Sequence, residues 1–180
     1  MNLEEKTLSS ETIYNGRVVH LVKDTAMLGN GKEVVREMIK HPGGVCVLAI
    51  TNENNVVMVK QFRYAQKTIL LEIPAGKLEV GEDPRECGIR ELKEETGYEA
   101  ESFEFFGKML PTPAYVGEVI HIYLARELRK TAQKLDEDEF LEVLEVPFEK
   151  AVKMALDGEI TDAKTQNALL KAKILFNSKL

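Results

Sequence analysis

The period of the apolar positions changes along the chain, and the changes mark its elements. Residues 12–23 and 33–40 read as strands, and Leu28-Gly29-Asn30-Gly31 between them carries Asn-Gly, the favoured pair of a tight hairpin turn. The unbroken apolar run Val45-Cys46-Val47-Leu48-Ala49-Ile50 and the segment 56–62 form a second pair of strands around Asn52-Glu53-Asn54-Asn55. Residues 69–73 give a short strand that enters the loop Pro74-Ala75-Gly76. Further strands are expected near 102–109, 118–125 and 141–146. Pro147 opens a helix to about residue 157. Thr161-Asp162 starts a last helix over 162–176, with Ala163, Ala168, Leu169, Ala172 and Ile174 among its less polar positions.

One more helix is expected between these strands. Asp83 can cap it, Pro84 suits its first position, and Gly97 fits just past its last turn. Ile89 and Leu92, three apart, form its buried stripe. Strands and helices alternate irregularly, which fits a mixed sheet with helices packed on it better than a parallel βαβ array. A lone N-terminal hairpin is only marginally stable in water and has to pack on something.

The helix carries an unusual charge pattern. Glu91, Glu94 and Glu95 are spaced i, i+3 and i+4, which puts three carboxylates on one face with Cβ atoms about 5–6 Å apart. Like charges so close destabilise a helix unless something offsets them. A divalent cation does so, and hard cations such as Mg²⁺ take carboxylate oxygens as ligands. Glu91 and Glu95, one turn apart, are the principal ligands expected, with Glu94 binding directly or through water. Gly76 lets the loop backbone approach the helix, so the Ala75 carbonyl is a further candidate ligand. Arg90 is expected to point elsewhere on the helix and to pair with Glu82, tying the loop down.

Composition narrows the class. The chain has 180 residues, 44% of them hydrophobic, and a net charge of −6 with a pI near 5.3. One main domain with a small addition is expected. The acidic balance argues against a general binder of nucleic acid or anionic membrane, because phosphate backbones demand clustered Lys and Arg. Cys46 and Cys87 form no disulfide framework or Cys-rich metal site, and His20, His41 and His121 form no metal or nucleophile pattern. No signal-peptide core opens the chain and no run approaches about 18 apolar residues. A cytoplasmic location is expected.

Gly76, Glu82, Arg90-Glu91-Leu92, Glu94-Glu95 and Gly97 together match the Nudix box, with Tyr98 standing where an aliphatic residue is more usual. The chain thus resembles the Nudix hydrolases. That resemblance implies an α+β chain with the Nudix fold, an α/β/α sandwich, extended by an N-terminal antiparallel β region. It divides the chain into residues 1–42 and a hydrolase domain over 43–180. Pro113, sixteen residues after Gly97, resembles the mark of the ADP-ribose pyrophosphatases, as do Gln61-Phe62-Arg63-Tyr64, Leu71-Glu72-Ile73-Pro74 and the acidic run Leu135–Phe140. In that group a comparable N-terminal sheet exchanges between subunits, so a homodimer is implied.

The implied reaction is Mg²⁺-dependent hydrolysis (Mn²⁺ as a substitute) of ADP-ribose to AMP and ribose 5-phosphate. Other ADP-sugars, GDP-mannose and dinucleoside polyphosphates are competing substrates, and a non-catalytic nucleotide sensor is the competing class. By similarity, Glu137 matches the general base and Glu139 a further metal ligand; a solvated acidic loop is the alternative for that run. Arg36 and Arg63 are candidates for holding phosphates, since Arg binds them bidentately. Pro113 stiffens a loop that can hold a substrate edge. Glu72 and Glu118 could accept hydrogen bonds from ribose hydroxyls.

Overall fold

The computed structural model describes residues 2–135 and 140–177. In chain order its elements are β1 (Lys6–Asn15), β2 (His20–Met27), β3 (Glu33–Lys40), β4 (Gly44–Ala49), β5 (Asn55–Arg63), β6 (Thr68–Glu72) and β7 (Ala75–Lys77). Then come α1 (Pro84–Thr96), β8 (Tyr98–Met109), β9 (Ile120–Lys130), β10 (Leu141–Pro147), α2 (Phe148–Leu156) and α3 (Ala163–Asn177). Contacts divide the chain into two units, residues 1–43 with 110–119, and residues 44–109 with 120–180.

The first unit is built on the antiparallel sheet β1-β2-β3. The expected Asn-Gly turn joins β2 to β3, with Gly31 at φ +84° and the Asn30 side-chain oxygen accepting the Lys32 N–H at 3.0 Å. The single strand expected over 12–23 is two strands. The Gly16 N–H donates to the Val19 carbonyl at 2.9 Å and turns the chain. A Cβ on Gly16 would lie 2.6 Å from the ring of the exposed Tyr14, so a larger residue there would push that ring aside. All ten residues of β1 are exposed, Leu8, Ile13 and Tyr14 among them. The loop 110–119 joins this unit through backbone bonds, Ile39 N–H to Tyr115 C=O at 2.8 Å and Gly117 N–H to Ile39 C=O at 2.9 Å.

In the second unit the apolar run of β4 explains the architecture. Every residue of β4 is buried, as expected of a strand covered on both faces. Its side chains alternate between two cores. Cys46 and Leu48 pack with Phe148, Ala151 and Leu169 of α2 and α3. Val45, Val47 and Ala49 pack with Cys87 and Leu92 of α1. Helices thus cover both sides of the strands, the α/β/α layering of the expected sandwich. The sheet β7-β4-β9-β8 is mixed, β4 and β9 being parallel.

β4 and β5 do not pair as expected. The isolated bridge Ile50–Val56 lies beside the turn at Asn54 (φ +61°), and β5 then enters an antiparallel sheet with β10 and β6. A short turn fixes where two strands meet, not whether they stay together. Their partners are set by residues far along the chain.

α1 ends as its sequence predicts. The Asp83 carboxylate accepts the N–H groups of Arg85 at 2.8 Å and Glu86 at 3.3 Å. At the other end Gly97 adopts φ +71° and donates its N–H to the Lys93 carbonyl at 2.9 Å. Both cysteines are buried core groups, and burial pushes each thiol up to about 12.

Leu48 is fully buried in one of the two cores. Leu48→Ala is expected to lower unfolding stability by about 2–5 kcal/mol, the range for a buried Leu truncation, as read by urea titration.

Candidate active site

The site grows from the contact between α1 and the loop before it. β7 runs antiparallel to β4, which brings Gly76 against the helix. A Cβ on Gly76 would lie 2.0 Å from the Glu91 carboxyl group, so the backbone is in contact with that side chain and any other residue would displace it. One residue earlier, the Ala75 N–H donates to Glu95 Oε2 at 3.0 Å. Glu95 is almost fully buried, at 3% exposure, with its carboxylate fixed by a main-chain donor.

Arg90 fulfils one expectation and departs from another. Its Nε and Nη2 donate to the two carboxylate oxygens of Glu82 at 3.1 and 3.3 Å. It does not point away from the carboxylates, however. Nη1 donates to Glu91 Oε1 and to Glu94 Oε2, each at 2.9 Å. The guanidinium is long enough to fold back over its own turn, and the charge of two neighbouring carboxylates draws it there. Arg90 and then the Glu79 N–H draw Glu82 down to about 2, and Glu82 in turn raises the proton affinity of Arg90. Repulsion within the Glu91–Glu94–Glu95 face is thus offset in part by a side chain.

The donor set fits a hard divalent cation. It consists of carboxylate oxygens, Glu94 is partly exposed, and the loop is shaped by glycine to leave Glu91 its position. Among the described residues no three His, Cys, Asp or Glu side chains are grouped as they would be around a bound metal ion. Glu91 and Glu94 share Arg90, so an incoming cation competes for the oxygens that Nη1 holds. Glu137 and Glu139, the expected base and further ligand, lie outside the described residues.

A second cluster in the same unit was only half legible. Arg63 and Glu72 form a bidentate pair, both bonds 2.7 Å. Glu72 is buried, at 1% exposure, and also accepts a bond from Lys164. Lys164 reaches Asp162 at 2.9 Å. Asp162 accepts the Thr165 N–H at 2.9 Å and the Thr165 hydroxyl at 2.5 Å, and that hydroxyl accepts the Ile73 N–H at 2.9 Å. The start of α3 is thereby tied to the end of β6. Burial opposes the charge of Glu72, yet Arg63 and Lys164 outweigh it and hold the carboxyl below its ordinary value. Glu72 in turn pushes Arg63 up. Lys164 and Asp162 escaped the sequence reading; Thr161-Asp162 signalled only a helix start.

The remaining candidates belong to the first unit. Arg36 is held bidentately by Glu5, at 2.9 and 2.8 Å. Both line a cavity of about 350 Å³ with Asp24 and Pro113. Asp24 Oδ1 is out of solvent there without a hydrogen-bond partner. Glu118 lies 3.8 Å from His41 Nδ1, but that nitrogen already accepts the Gly43 N–H at 3.1 Å.

Comparison with known proteins identifies the family. A NUDIX domain model matches residues 40–168. The chain is 46% identical over 170 residues to an ADP-ribose pyrophosphatase of Bacillus subtilis strain 168, covering 93% of this chain and 92% of that protein. It is 48% identical over 164 residues to a methanol dehydrogenase activator of Bacillus methanolicus, covering 90% and 89%. The crystal structure of an ADP compounds hydrolase superposes with a TM-score of 0.84 over 97% of this chain and 96% of that one, at 22% identity. That last likeness speaks for the fold.

Glu72→Gln removes one of the two carboxylates that the buried Lys164 contacts and leaves it paired with Asp162. The expected loss is about 3 kcal/mol, the low end for breaking a buried ion pair, because Arg63 keeps contact with water. The folded-state value of Glu72 is depressed, so its contribution is fully present above the ordinary carboxyl value of about 4.3 and is lost as pH falls through the folded value. Urea titrations of both proteins are expected to show the gap closing below about pH 4, since protonation removes the same charge from the wild type.

Proposed function

Because the chain belongs to the NUDIX family, we propose that its carboxylate helix is the centre of a pyrophosphate hydrolase acting on ADP-ribose, with AMP and ribose 5-phosphate as products. The observation that carries this reading is the intact face of Glu91, Glu94 and Glu95 on α1, with Gly76 packed against Glu91 and the Ala75 N–H on Glu95. A non-catalytic nucleotide sensor has no need of three carboxylates held so closely.

The reaction joins water to one phosphorus of the pyrophosphate and breaks a P–O bond to the bridging oxygen, with the water proton passing to a base. When bound by Glu91, Glu94 and Glu95, a divalent ion, which we take to be Mg²⁺ with Mn²⁺ as a substitute, neutralises the phosphate oxygens and acidifies water. Ala75 and Glu139 are assigned as further ligands. Glu95 enters with its carboxylate already oriented, so little of its freedom remains to be lost on binding. Arg90 stays anchored to Glu82 through Nε and Nη2 when Nη1 gives up Glu91 and Glu94. Glu137 is assigned as the base that takes the water proton.

Arg63 is assigned to the substrate phosphates. Its side chain is 41% exposed while two of its nitrogens rest on Glu72, which aims the guanidinium without hiding it. Glu72 thereby acts through Arg63 rather than on a ribose hydroxyl. Arg36, Pro113 and Glu118 are assigned to substrate contacts of the first unit. The bare strand β1, with Leu8, Ile13 and Tyr14 in water, supports a homodimer formed through the N-terminal region, residues 1–42. No helix among the described residues is long and apolar enough to cross a membrane. A cytoplasmic location fits a nucleotide-derived substrate.

Three measurements test this reading. With Mg²⁺ and a panel of ADP-ribose, ADP-sugars, GDP-mannose, dinucleoside polyphosphates and nucleoside triphosphates, ADP-ribose is expected to give the highest kcat/KM; preferential cleavage of triphosphates would refute the substrate. Glu137→Gln is expected to lower kcat by about 10²-fold with KM little changed, the size of general-base loss, whereas an equal loss in Asp138→Asn alone would move the role to Asp138. Sedimentation at micromolar concentration is expected to give a dimer, and a stable monomer would remove the dimer assignment.

A further inference from the structure

An α-helix leaves its last carbonyls without partners inside the helix. At the end of α1 they are met by the segment that follows β9. The Lys134 N–H donates to the Glu94 carbonyl at 3.0 Å, and Gln133 Nε2 donates to the Glu95 carbonyl at 2.6 Å. Thr131 donates to the Gly97 carbonyl twice, through its N–H at 2.5 Å and its hydroxyl at 3.0 Å. A Cβ on Gly97 would lie 2.9 Å from both Gln133 N and Thr131 O. Glycine is therefore required twice over here, once for φ +71° and once so that the segment can lie against the helix end.

The carbonyls met in this way include those of Glu94 and Glu95. The last turn of a helix is where fraying starts. Glu95 is held at both ends, its carboxylate by the Ala75 N–H and its carbonyl by Gln133. Of these donors, Gln133 contributes a side chain, which a substitution removes without altering the backbone.

We infer that Gln133 is a positioning residue for the metal-binding carboxylates, holding the last turn of α1 so that Glu94 and Glu95 meet a divalent ion in register. The inference rests on the reading of Glu91, Glu94 and Glu95 as metal ligands. Loss of a hydrogen bond to a ligating group typically weakens metal binding by about 10–100-fold; Gln133 holds the Glu95 main chain rather than its carboxylate, so Gln133→Ala is expected at the low end, a weakening of Mn²⁺ binding by about tenfold. Saturating metal restores kcat. Gln133→Lys keeps a donor of similar reach, and a cation is favourable at a helix C-terminus, so it retains an affinity near wild type.

The test is a Mn²⁺ titration of the wild type, Gln133→Ala and Gln133→Lys, read by the electron paramagnetic resonance of free Mn²⁺, with Tm measured alongside. A weaker affinity in the Ala variant at little changed Tm, restored by Lys, supports the inference. An unchanged affinity in Gln133→Ala overturns it, as does a loss that follows a fall in Tm and that Lys does not restore. Failure of the wild-type chain to bind Mn²⁺ would instead overturn the metal reading, and the inference with it.

Discussion

Three carboxylates on one turn of helix repel each other, and the surrounding structure answers that repulsion. Exposed like-charged pairs at this spacing cost a few tenths of a kcal/mol each, and the cost grows as water is withdrawn from them. Glu95 is buried, so it pays more than a surface residue would. A main-chain N–H meets Glu95, a guanidinium bridges Glu91 and Glu94, and glycine removes the Cβ that would crowd Glu91. The main-chain N–H and the glycine require the loop before α1 to lie against the helix, whereas the guanidinium comes from the helix itself. The short strand β7 fixes that loop to β4, the strand at the middle of the layers.

The Arg63–Glu72–Lys164–Asp162 cluster obeys the same electrostatics with a different outcome. Here cations and anions alternate through a partly buried chain of bonds. No member is left with an unmatched charge, and the pairs cross from β5 and β6 to the start of α3. The cluster locks the C-terminal helix to the strand that leads into the glycine loop. Through Thr165 and the Ile73 N–H it also sets the main chain two residues before Ala75.

Local features were legible in the sequence. Asp83, Pro84 and Gly97 bound α1 because capping depends on neighbours a few residues away. The spacing of Glu91, Glu94 and Glu95 needed only the helix period. The Asn30-Gly31 turn likewise followed from a backbone requirement of φ above zero. What stayed hidden was set at long range. The separation of β4 from β5 depends on β9 and β10, which the turn between them does not encode. Lys164 lies 92 residues from Glu72, and Gln133 lies 38 from Glu95, so no period or motif announces either contact. Arg90 was legible as the partner of Glu82, but its reach to Glu91 and Glu94 depends on a rotamer, and a sequence does not state one.

The bridging guanidinium separates two events that metal sites often fuse. In small metal-organised domains the unmet charge of the ligands keeps the chain unfolded until the ion arrives, so folding free energy and binding free energy are one quantity. Arg90 removes much of that dependence by serving as an internal counterion for Glu91 and Glu94. On the metal reading proposed above, loss of the ion would then remove activity while leaving the fold in place, and return of the ion would restore activity to the same molecule.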